Sequence, residues 1–241
     1  MKILTVDAGN TRTKYHLFDK DKITLSGILE KVEDLPELLK KTNPVKIGLS
    51  SVNPSVTNKI KRSLPEKYLR EVIEVSSLSR LNFHLEYDTP ETLGNDRICS
   101  AAGALHVAPF DDLIVIIDSG TCITVNIIAE KIYKGGIITP GIDTMLKSMH
   151  HYTGLLPLFE KYMPEYIHGK NTRDAMMSGV IILLTGIRHY IELNAKHYSK
   201  KAKIFVTGGN GIFLKDVLHL DAKYEENLVA YGIRMLVKLN S

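Results

Sequence analysis

Residues 3–18, ILTVDAGNTRTKYHLF, contain two apolar runs around the polar turn Asp7-Ala8-Gly9-Asn10-Thr11, with Thr13 and Lys14 after it. The pattern predicts a two-stranded hairpin, because glycine and asparagine tolerate the positive φ angles that tight turns require. Turn amides with a lysine on the returning strand form a reasonable anion site, and Asp7 could hold a hydrated cation beside it. The alternative is an ordinary surface hairpin that begins with Asp-x-Gly-Asn.

A second stretch repeats this pattern: the apolar run Leu113 to Ile117 ends in the turn Asp118-Ser119-Gly120-Thr121. When Asp118 is aligned with Asp7, the glycines of the two turns coincide and Thr124 falls on Thr13. A repeated hairpin indicates two related domains, unless the polar positions match by chance. We therefore expect an N-terminal domain over 1–108 and a C-terminal domain over 109–241, facing each other across a cleft.

Strands and helices alternate along the rest of the chain, which predicts the α/β class. Predicted strands lie at 22–27, 45–51, 72–75, 113–117, 132–138 and 203–207. Predicted helices lie at 32–41, 55–64, 98–106, 142–152, 173–196 and 225–239, with Ser55 and Thr172 as N-caps. Residues 85–97 are predicted as a loop, and Ser50-Ser51-Val52-Asn53 is interpreted as a strand end rather than part of a site.

The composition is that of a soluble globular protein. The 241 residues are 44% hydrophobic and 24% charged, and the net charge of +4 is spread along the chain, unlike the denser charge of nucleic-acid-binding surfaces. The two cysteines form no C-x-x-C pair, which fits a reducing compartment. The N-terminus lacks a signal-peptide core, and the longest apolar run, Val180 to Leu184, is too short to span a membrane. We expect a cytoplasmic protein without nucleic-acid or membrane partners.

Several common site motifs are missing from the sequence. Gly169-Lys170 is followed by Asn171, so there is no Walker A motif, and no G-x-G-x-x-G follows a predicted strand. The nine histidines show no metal-ligand spacing. A nucleotide site must therefore be formed by the two hairpins.

Further motifs extend over most of the chain: Asp7-Ala8-Gly9-Asn10-Thr11 with Lys14; Tyr87, Pro90 and Leu93-Gly94-Asn95-Asp96-Arg97; Asp118-Ser119-Gly120-Thr121; Gly135-Gly136 with Pro140-Gly141; Leu155-Leu156-Pro157; Asn171-Thr172; and Gly208-Gly209. In this order they resemble the motifs of type III pantothenate kinases, a branch of the superfamily that contains acetate and sugar kinases, Hsp70 and actin. Two features depart from the family. Cys122 replaces the usual alanine, and the chain is somewhat short.

The resemblance implies two ribonuclease H-like (actin-like ATPase) domains and ATP-dependent phosphorylation of pantothenate to 4′-phosphopantothenate, the first step of coenzyme A biosynthesis. ATP would be bound with Mg²⁺, and Asp118 would hold a monovalent cation, K⁺ or NH₄⁺. Phosphoryl transfer depends on positioning and charge neutralisation, which a lysine, turn amides and cations supply. The residues matched to ATP binding are Asp7, Ala8, Gly9, Asn10, Thr11, Arg12, Thr13, Lys14 and Thr121.

The resemblance also implies an acceptor site with Asp96 as the general base and Arg97 as a two-pronged donor to the pantothenate carboxylate. The residues matched to pantothenate binding are Tyr87, Gly94, Asn95, Asp96, Arg97 and Thr172. The alternative is that Asp96 and Arg97 form a local ion pair that caps the next helix. The resemblance further implies a homodimer whose partner subunit completes the pantothenate pocket, and the apolar helix after Thr172 is consistent with that.

Two other functions are compatible with these motifs. One is a non-catalytic regulatory or accessory protein on the same fold, since fold alone does not determine function. The joint presence of Asp7, Lys14, Asp96, Arg97 and Asp118 argues against it, because a silent protein has no need of a base, a phosphate-binding lysine and cation ligands. The other is a kinase for another small hydroxylated acid. Arg97 favours a carboxylate-bearing acceptor over a sugar.

Overall fold

A computed structural model describes residues 1–109 and 112–241. The chain forms two compact units, the first comprising Met1–Phe110, Lys131–Tyr133 and Asn227–Ser241, and the second Asp111–Glu130 and Lys134–Glu226. The first range of the first unit ends, and the first range of the second unit begins, close to the predicted boundary at 108/109. The last helix, expected in the C-terminal domain, packs in the first unit instead. The assignment of two domains at 1–108 and 109–241 stays a prediction.

Strands and helices alternate as expected, so the predicted α/β class is confirmed. The strands are β1 Lys2–Ala8, β2 Thr13–Asp19, β3 Lys22–Leu29, β4 Lys46–Ser51, β5 Val72–Glu74, β6 His84–Leu85, β7 Leu113–Ser119, β8 Cys122–Ala129, β9 Ile132–Pro140, β10 Lys203–Thr207 and β11 Lys223–Tyr224. The helices are α1 Leu35–Thr42, α2 Pro54–Ser63, α3 Glu66–Leu69, α4 Asn95–Val107, α5 Ile142–Tyr152, α6 Thr172–His197, α7 Gly211–Val217 and α8 Leu228–Leu239, with short 3₁₀ helices at Val32–Asp34 and Pro90–Thr92.

The five strands of the first sheet and five of the six strands of the second follow the same order; the sixth, β6, lies beside β9 at the edge of the second sheet. The first sheet runs β3-β2-β1-β4-β5, and the strands of the second unit run β9-β8-β7-β10-β11. In the first, β1 is antiparallel to β2 and parallel to β4; in the second, β7 is antiparallel to β8 and parallel to β10. The internal repeat inferred from the two hairpins therefore extends to the whole sheet of each unit.

Each unit has an apolar core that follows from its strand pattern. In the first, β1 and β4 contribute Leu4, Val6, Ile47 and Leu49, which pack with residues of α1 and α2. In the second, the unbroken apolar run of β7 is buried on both faces, as such runs are in sheets covered on both sides. Its side chains pack with those of α5, α6 and α7.

The last helix, α8, belongs to the first unit because glycines let it approach α4 and β4 closely. An added Cβ at Gly232 would overlap the carbonyl oxygen of Cys99, and one at Gly103 would overlap that of Leu228. On its other side, α8 lies over Gly48, where a Cβ would meet Ile233 and Val237. The prediction from local pattern alone missed this packing, since it depends on contacts between residues more than a hundred positions apart.

The first unit also receives the start of β9. Ile132 and Tyr133 pair in parallel with His84 and Leu85 of β6, and the chain enters the second unit at Lys134. The left-handed turn residues Glu130 (φ 53°) and Lys131 (φ 63°) precede this crossing and close the β8–β9 hairpin. Tyr133 thereby reaches the unit that contains the predicted acceptor residues.

Several local predictions need correction. Neither Gly9 nor Asn10 adopts positive φ; in the described part of the chain, tight turns use it at Lys20, Glu130 and Lys131 instead. Asn53, not Ser55, caps α2, accepting hydrogen bonds from the backbone amides of Ser55 and Val56. In these cases, residue-type statistics indicated a turn or helix start correctly but not which residue performs the role.

Among the described residues, α6 is the one helix that is long and apolar enough to cross a membrane by length and composition alone. One third of its most apolar window is buried inside the protein. A buried core helix passes the same test, so the expected absence of a membrane partner stays a prediction.

Candidate active site

The first hairpin places Asp7 at the end of β1, between two strands. Its cross-strand partner on β2 is Lys14, and its partner on β4 is Ser50. The turn spans the four residues after Ala8, and the Gly9 amide donates to the Arg12 carbonyl at 3.1 Å, which closes it. Asn10, Thr11 and Arg12 are exposed at the tip, where they can contact a ligand.

The second hairpin is one residue shorter, which changes the alignment inferred from sequence. Its turn spans residues 120–122, so Asp118 faces Thr124 across the strands. Lys14, not Thr13, therefore occupies the position that corresponds to Thr124. A lysine opposite Asp7 and a threonine opposite Asp118 give the two hairpins different chemistry.

The tip of the second hairpin is held by the start of α5. The carbonyl oxygen of Thr121 accepts hydrogen bonds from the Gly141 amide at 2.9 Å and the Thr144 hydroxyl at 2.6 Å. Thr121 itself is exposed. This support fixes the backbone of Thr121.

Gly208 packs closely against Asp118 and Ser119 at the end of β7. It adopts φ +86°, and an added Cβ would lie 2.6 Å from the carbonyl oxygen of Ser119 and would overlap the carboxylate of Asp118. The strand β10 ends in the glycine turn predicted from Gly208-Gly209, and Asn210 continues it with an amide that donates to the Ser119 carbonyl at 2.9 Å. Only glycine fits at 208 without moving Asp118.

The predicted acceptor residues lie at the start of α4 rather than in a loop. Gly94 is the N-cap, and Asn95, Asp96 and Arg97 form the first turn. The Asn95 side-chain amide donates to the Ser51 carbonyl at 3.0 Å, which ties the helix start to the end of β4. The prediction placed the helix start at Ile98, because Gly94 supplies no side-chain cap that could mark the true start.

Asp96 is half-buried, and its carboxylate accepts a hydrogen bond from the Arg97 backbone amide at 2.8 Å. Burial raises the pKa of Asp96 above its ordinary value, while that hydrogen bond and the positive charge of Arg97 oppose the rise. A raised pKa makes the carboxylate a better proton acceptor than an ordinary aspartate. A Cβ at Gly94 would come within 2.5 Å of its Oδ1 atom, so a larger residue there would displace this carboxylate oxygen.

Asp96 and Asp7 lie near one buried thiol. Cys99, one turn further along α4, is fully buried. Burial raises the pKa of its thiol, and the negative charges of Asp7 and Asp96 raise it further. The first unit therefore brings a residue matched to ATP binding close to the one matched to the general base. Cys99 was not singled out by the sequence.

Arg97 is 6% exposed and is not directed into open solvent. Its guanidinium lies over the ring of Tyr133, with the Cζ atom 5.9 Å from the ring centroid, and the Tyr87 ring meets the same tyrosine edge-on at 6.1 Å. Two residues predicted from the acceptor motif thus converge on a third that sequence reasoning missed. No local signal marks Tyr133, because its role depends on the pairing of β9 with β6.

A cavity of about 380 Å³ opens beside the start of α4 within the first unit. Its lining includes the ion pair between Lys61 and Glu74. The other lining residues are Ser51, Val52, Pro54, Thr57, Asn58, Glu91, Thr92, Leu93, Gly94 and Asn95. Ser51 and Val52, interpreted from sequence as a strand end, are therefore part of a polar pocket.

Thr172 belongs to the second unit and is the first residue of α6, not its cap. Asn171 is the cap, with its side-chain oxygen accepting from the Asp174 amide at 2.9 Å. Asp174, predicted in the first turn, also accepts hydrogen bonds from Tyr162 and from the Asn171 side-chain amide, both at 2.6 Å. Thr172 is exposed, so its hydroxyl is available for a ligand contact.

No group of three His, Cys, Asp or Glu side chains in residues 1–109 and 112–241 could hold a metal ion alone. Mg²⁺ in phosphoryl-transfer sites is bound by one or two carboxylates, waters and the phosphates, so it needs no such group. Asp7 and Asp118 at their strand ends fit that requirement.

Comparisons with known proteins identify the family of the chain. The model of the family described as type III pantothenate kinase matches residues 3–193. A type III pantothenate kinase from Christiangramia forsetii is 30% identical over 98% of each chain. A crystal structure described as a Baf family transcriptional activator from Campylobacter jejuni is 25% identical, covers 98% of this chain and 97% of its own, and superposes with a TM-score of 0.64.

A ROK hexokinase from Thermus thermophilus shares only the fold, with 13% identity, 98% coverage of each chain and a TM-score of 0.51. Together with the repeated strand order, this confirms the predicted pair of ribonuclease H-like domains of the actin-like ATPase type. Both the family match and the curated relative are named for a phosphotransferase. The chain therefore belongs to the type III pantothenate kinase family.

Proposed function

We propose that this protein transfers the γ-phosphoryl group of ATP to the hydroxyl of pantothenate, giving 4′-phosphopantothenate in the first step of coenzyme A biosynthesis. The observation that carries the proposal is Asp96, a half-buried carboxylate with a raised pKa at the start of α4. Arg97 follows it directly, and a polar cavity adjoins Asn95. A candidate base and a candidate carboxylate-binding cation are thus adjacent in one unit, next to a cavity that reaches Gly94 and Asn95 of the same motif.

In the proposed mechanism, Asp96 orients the acceptor hydroxyl and accepts its proton as the phosphoryl group is transferred. Arg97 binds the acceptor carboxylate through its guanidinium, with Tyr87, Gly94 and Asn95 completing the first unit's share of the pocket. Burial raises the pKa of Asp96 and so brings it closer to neutrality.

ATP is assigned to the two hairpin turns. In the first unit, the segment from Asp7 to Lys14 binds phosphates through the Lys14 ammonium and the exposed tip residues Asn10 to Arg12. In the second unit, the supported Thr121 contributes its hydroxyl. Asp7 would hold the Mg²⁺ that is bound with ATP, and the ion would supply neutralisation of the charge that develops on the phosphates.

Asp118 is proposed as the ligand of a monovalent cation, K⁺ or NH₄⁺. The carboxylate lies at the end of β7, and Gly208 leaves no space on its other side. A carboxylate held in one position by its surroundings is suited to coordinate a cation, because its oxygen ligands need not reorganise on binding.

A homodimer in which the partner subunit completes the pantothenate pocket is proposed from one face of α6. Ile182 is 58% exposed, Leu183 69% and Leu193 51%. Exposed apolar side chains of this size, repeated along one helix, are typical of a subunit interface. Thr172 begins this helix and is the residue through which the partner would reach the substrate.

The protein is proposed to act in the cytoplasm, without nucleic-acid or membrane partners. Its positive charge is dispersed, and its cysteines show no disulfide pattern.

An assay of ADP release tests the function. The full chain with pantothenate, ATP and Mg²⁺ should turn over in K⁺ and more slowly in Na⁺. Absence of turnover in K⁺ would contradict the kinase assignment, and equal rates in both salts would contradict the cation site. Light scattering tests the dimer, and a monomer that retains full turnover would contradict a shared pocket.

The Baf family description of one structural relative favours a second candidate, a non-catalytic regulator. The same assay separates the two functions, since a regulator would bind ATP or pantothenate without releasing ADP. The presence of Lys14, Asp96 and Arg97 supports the enzyme.

A further inference from the structure

Tyr133 is a fully buried side chain surrounded by residues of the acceptor motif and of β6. Its ring lies 6.2 Å from the ring of Phe83 and 6.1 Å from that of Tyr87, and the guanidinium of Arg97 faces it at 5.9 Å. All four residues belong to the first unit. Tyr133 is thus in contact with two residues matched to pantothenate binding, although it belongs to no motif used to identify them.

The backbone of Tyr133 also fixes the segment that carries Tyr87. The Glu86 amide donates to the Tyr133 carbonyl at 3.1 Å, and the His84 amide donates to the Lys131 carbonyl at 2.9 Å. These hydrogen bonds hold β6 against β9, and Tyr87 follows directly after them. The edge-on ring contact then restricts which way the Tyr87 side chain points.

The ring face of Tyr133 stabilises Arg97 in a buried position. A guanidinium removed from water loses hydration, and the negative face of an aromatic ring restores part of that loss. Because the ring occupies one side of the guanidinium, the contact also limits the directions in which its N–H donors can point. A planar, two-pronged donor binds a carboxylate well only in the correct plane.

We infer that Tyr133 is a positioning residue for the acceptor: its ring holds Arg97 and Tyr87 in the orientation that binds the carboxylate end of the substrate. The inference rests on the proposed function, because it assumes that Arg97 and Tyr87 contact the acceptor. Under this inference, Tyr133 neither contacts ATP nor takes part in proton transfer. Its effect should therefore appear in acceptor binding and not in ATP binding.

The test compares steady-state kinetics of the full-length chain with Tyr133→Leu, Tyr133→Phe and Tyr68→Leu. Tyr68 is a matched control: it is 3% exposed, lies in the first unit, and has Lys67 over its ring at 4.4 Å, but it packs in the core beside α1. Tyr133→Leu should raise KM for pantothenate roughly three- to thirty-fold, the range of a buried cation–π contact, with KM for ATP nearly unchanged. Tyr133→Phe keeps the ring and should restore most of the affinity.

Tyr68→Leu should lower thermal stability while leaving KM for pantothenate as in the wild type. Equal effects of Tyr133→Leu and Tyr68→Leu on that KM would overturn the inference, as would a Tyr133→Phe variant as impaired as Tyr133→Leu.

If Tyr133→Leu does not fold, fluorinated phenylalanines at position 133 keep the ring's size while weakening its negative face. KM for pantothenate should rise with each added fluorine, and a flat series would overturn the inference. A wild-type chain that does not phosphorylate pantothenate would instead contradict the proposed function.

Discussion

The hairpins β1–β2 and β7–β8 occupy the same place in the five-strand order that the two sheets share, yet they differ at the residue opposite the strand-end aspartate. Asp7 faces Lys14, whereas Asp118 faces Thr124. The turn of the first hairpin is one residue longer than that of the second. This difference shifts which residue of the second strand lies opposite the aspartate. The same scaffold thus places a lysine opposite the aspartate in one copy and a threonine in the other.

A second difference concerns the acidic residue in the first turn of a helix in each unit. Asp143, at the start of α5, accepts hydrogen bonds from the Asn210 side-chain amide at 2.9 Å and from Lys161 at 3.3 Å. Asp96, at the start of α4, is half-buried, and burial raises its pKa. The comparison teaches that the surroundings of an aspartate, and not its position on a helix, determine whether its pKa is raised.

The largest expected effect is that of Asp96→Asn. Removing the base should lower kcat by at least about 100-fold, since general-base catalysis contributes 10²–10⁴, while ATP binding is retained. Asp143→Asn is the matched control and should change kcat only slightly. Measured kcat values and ATP titrations check both, and comparable turnover by Asp96→Asn would place the base elsewhere.

The raised pKa of Asp96 also predicts a pH dependence. The base works only when ionised, so kcat/KM should fall as the pH falls through a value above the ordinary aspartate pKa of 3.8. The pH has the opposite effect on stability. Because the pKa of Asp96 is raised in the folded protein, the folded state binds this proton more tightly than the unfolded state does. The free energy of unfolding therefore falls as the pH rises and Asp96 ionises. Asp96→Asn should therefore be at least as stable as the wild type at neutral pH, which thermal unfolding measures.

The hairpin comparison is tested by Lys14→Ala against Thr124→Ala. Loss of a cation aimed at the phosphates should lower kcat/KM for ATP by about 100-fold, as removal of one stabilising group in a phosphoryl or oxyanion site does. The same truncation at the equivalent position of the second hairpin should have a much smaller effect. Equal losses would mean that the two hairpins share the phosphate-binding role.

Glycine substitutions give a smaller effect that separates strained from unstrained positions. Gly208→Ala forces a Cβ against Asp118 at φ +86° and should cost about 1–3 kcal/mol of unfolding free energy, with weaker cation activation. Gly9→Ala meets only the Arg12 carbonyl at 3.4 Å and should be nearly neutral for stability. Denaturant unfolding measures both, and similar losses would contradict the difference.

The smallest effect concerns α8, the helix that returns to the first unit. Arg234 is 1% exposed, and its Nη2 atom donates to Nε2 of His106 at 3.1 Å, beside Asp21 and Lys238. Burial makes the largest contribution to the lowered pKa of His106, and the positive charge of Arg234 lowers it further. The negative charge of Asp21 opposes the shift.

A lowered native pKa means that the contribution of His106 to stability is present above its unfolded pKa, near 6.5, and is lost as the pH falls below it. The melting temperature of the wild type should therefore drop over this range more than that of His106→Gln, whose amide oxygen can still accept from Arg234. Parallel pH profiles for the two proteins would contradict this role of His106.

Much of the fold was predictable because it depends on local patterns. The predicted strand at 203–207 and the helix at 142–152 coincide with β10 and α5, since Pro140-Gly141 marks the helix start and an apolar run marks the strand. The start of α4 was placed three residues late because Gly94 caps it without a side chain. The site residues from Gly94 to Arg97 came from a motif and not from periodicity, which is why they were identified despite the wrong boundary.

By itself, the sequence determined that this protein has two hairpins with polar turns in a repeated α/β framework and a short acidic-basic motif next to a run of small helical residues. Those features are encoded by neighbouring residues, whose spacing is visible in one dimension. Only the tertiary structure decided that α8 joins the first unit, that Lys14 and not Thr13 faces Asp7, and that Tyr133 lies against Arg97. Each of these depends on strand register or on contacts between distant residues, and these are set by packing and burial rather than by local propensity.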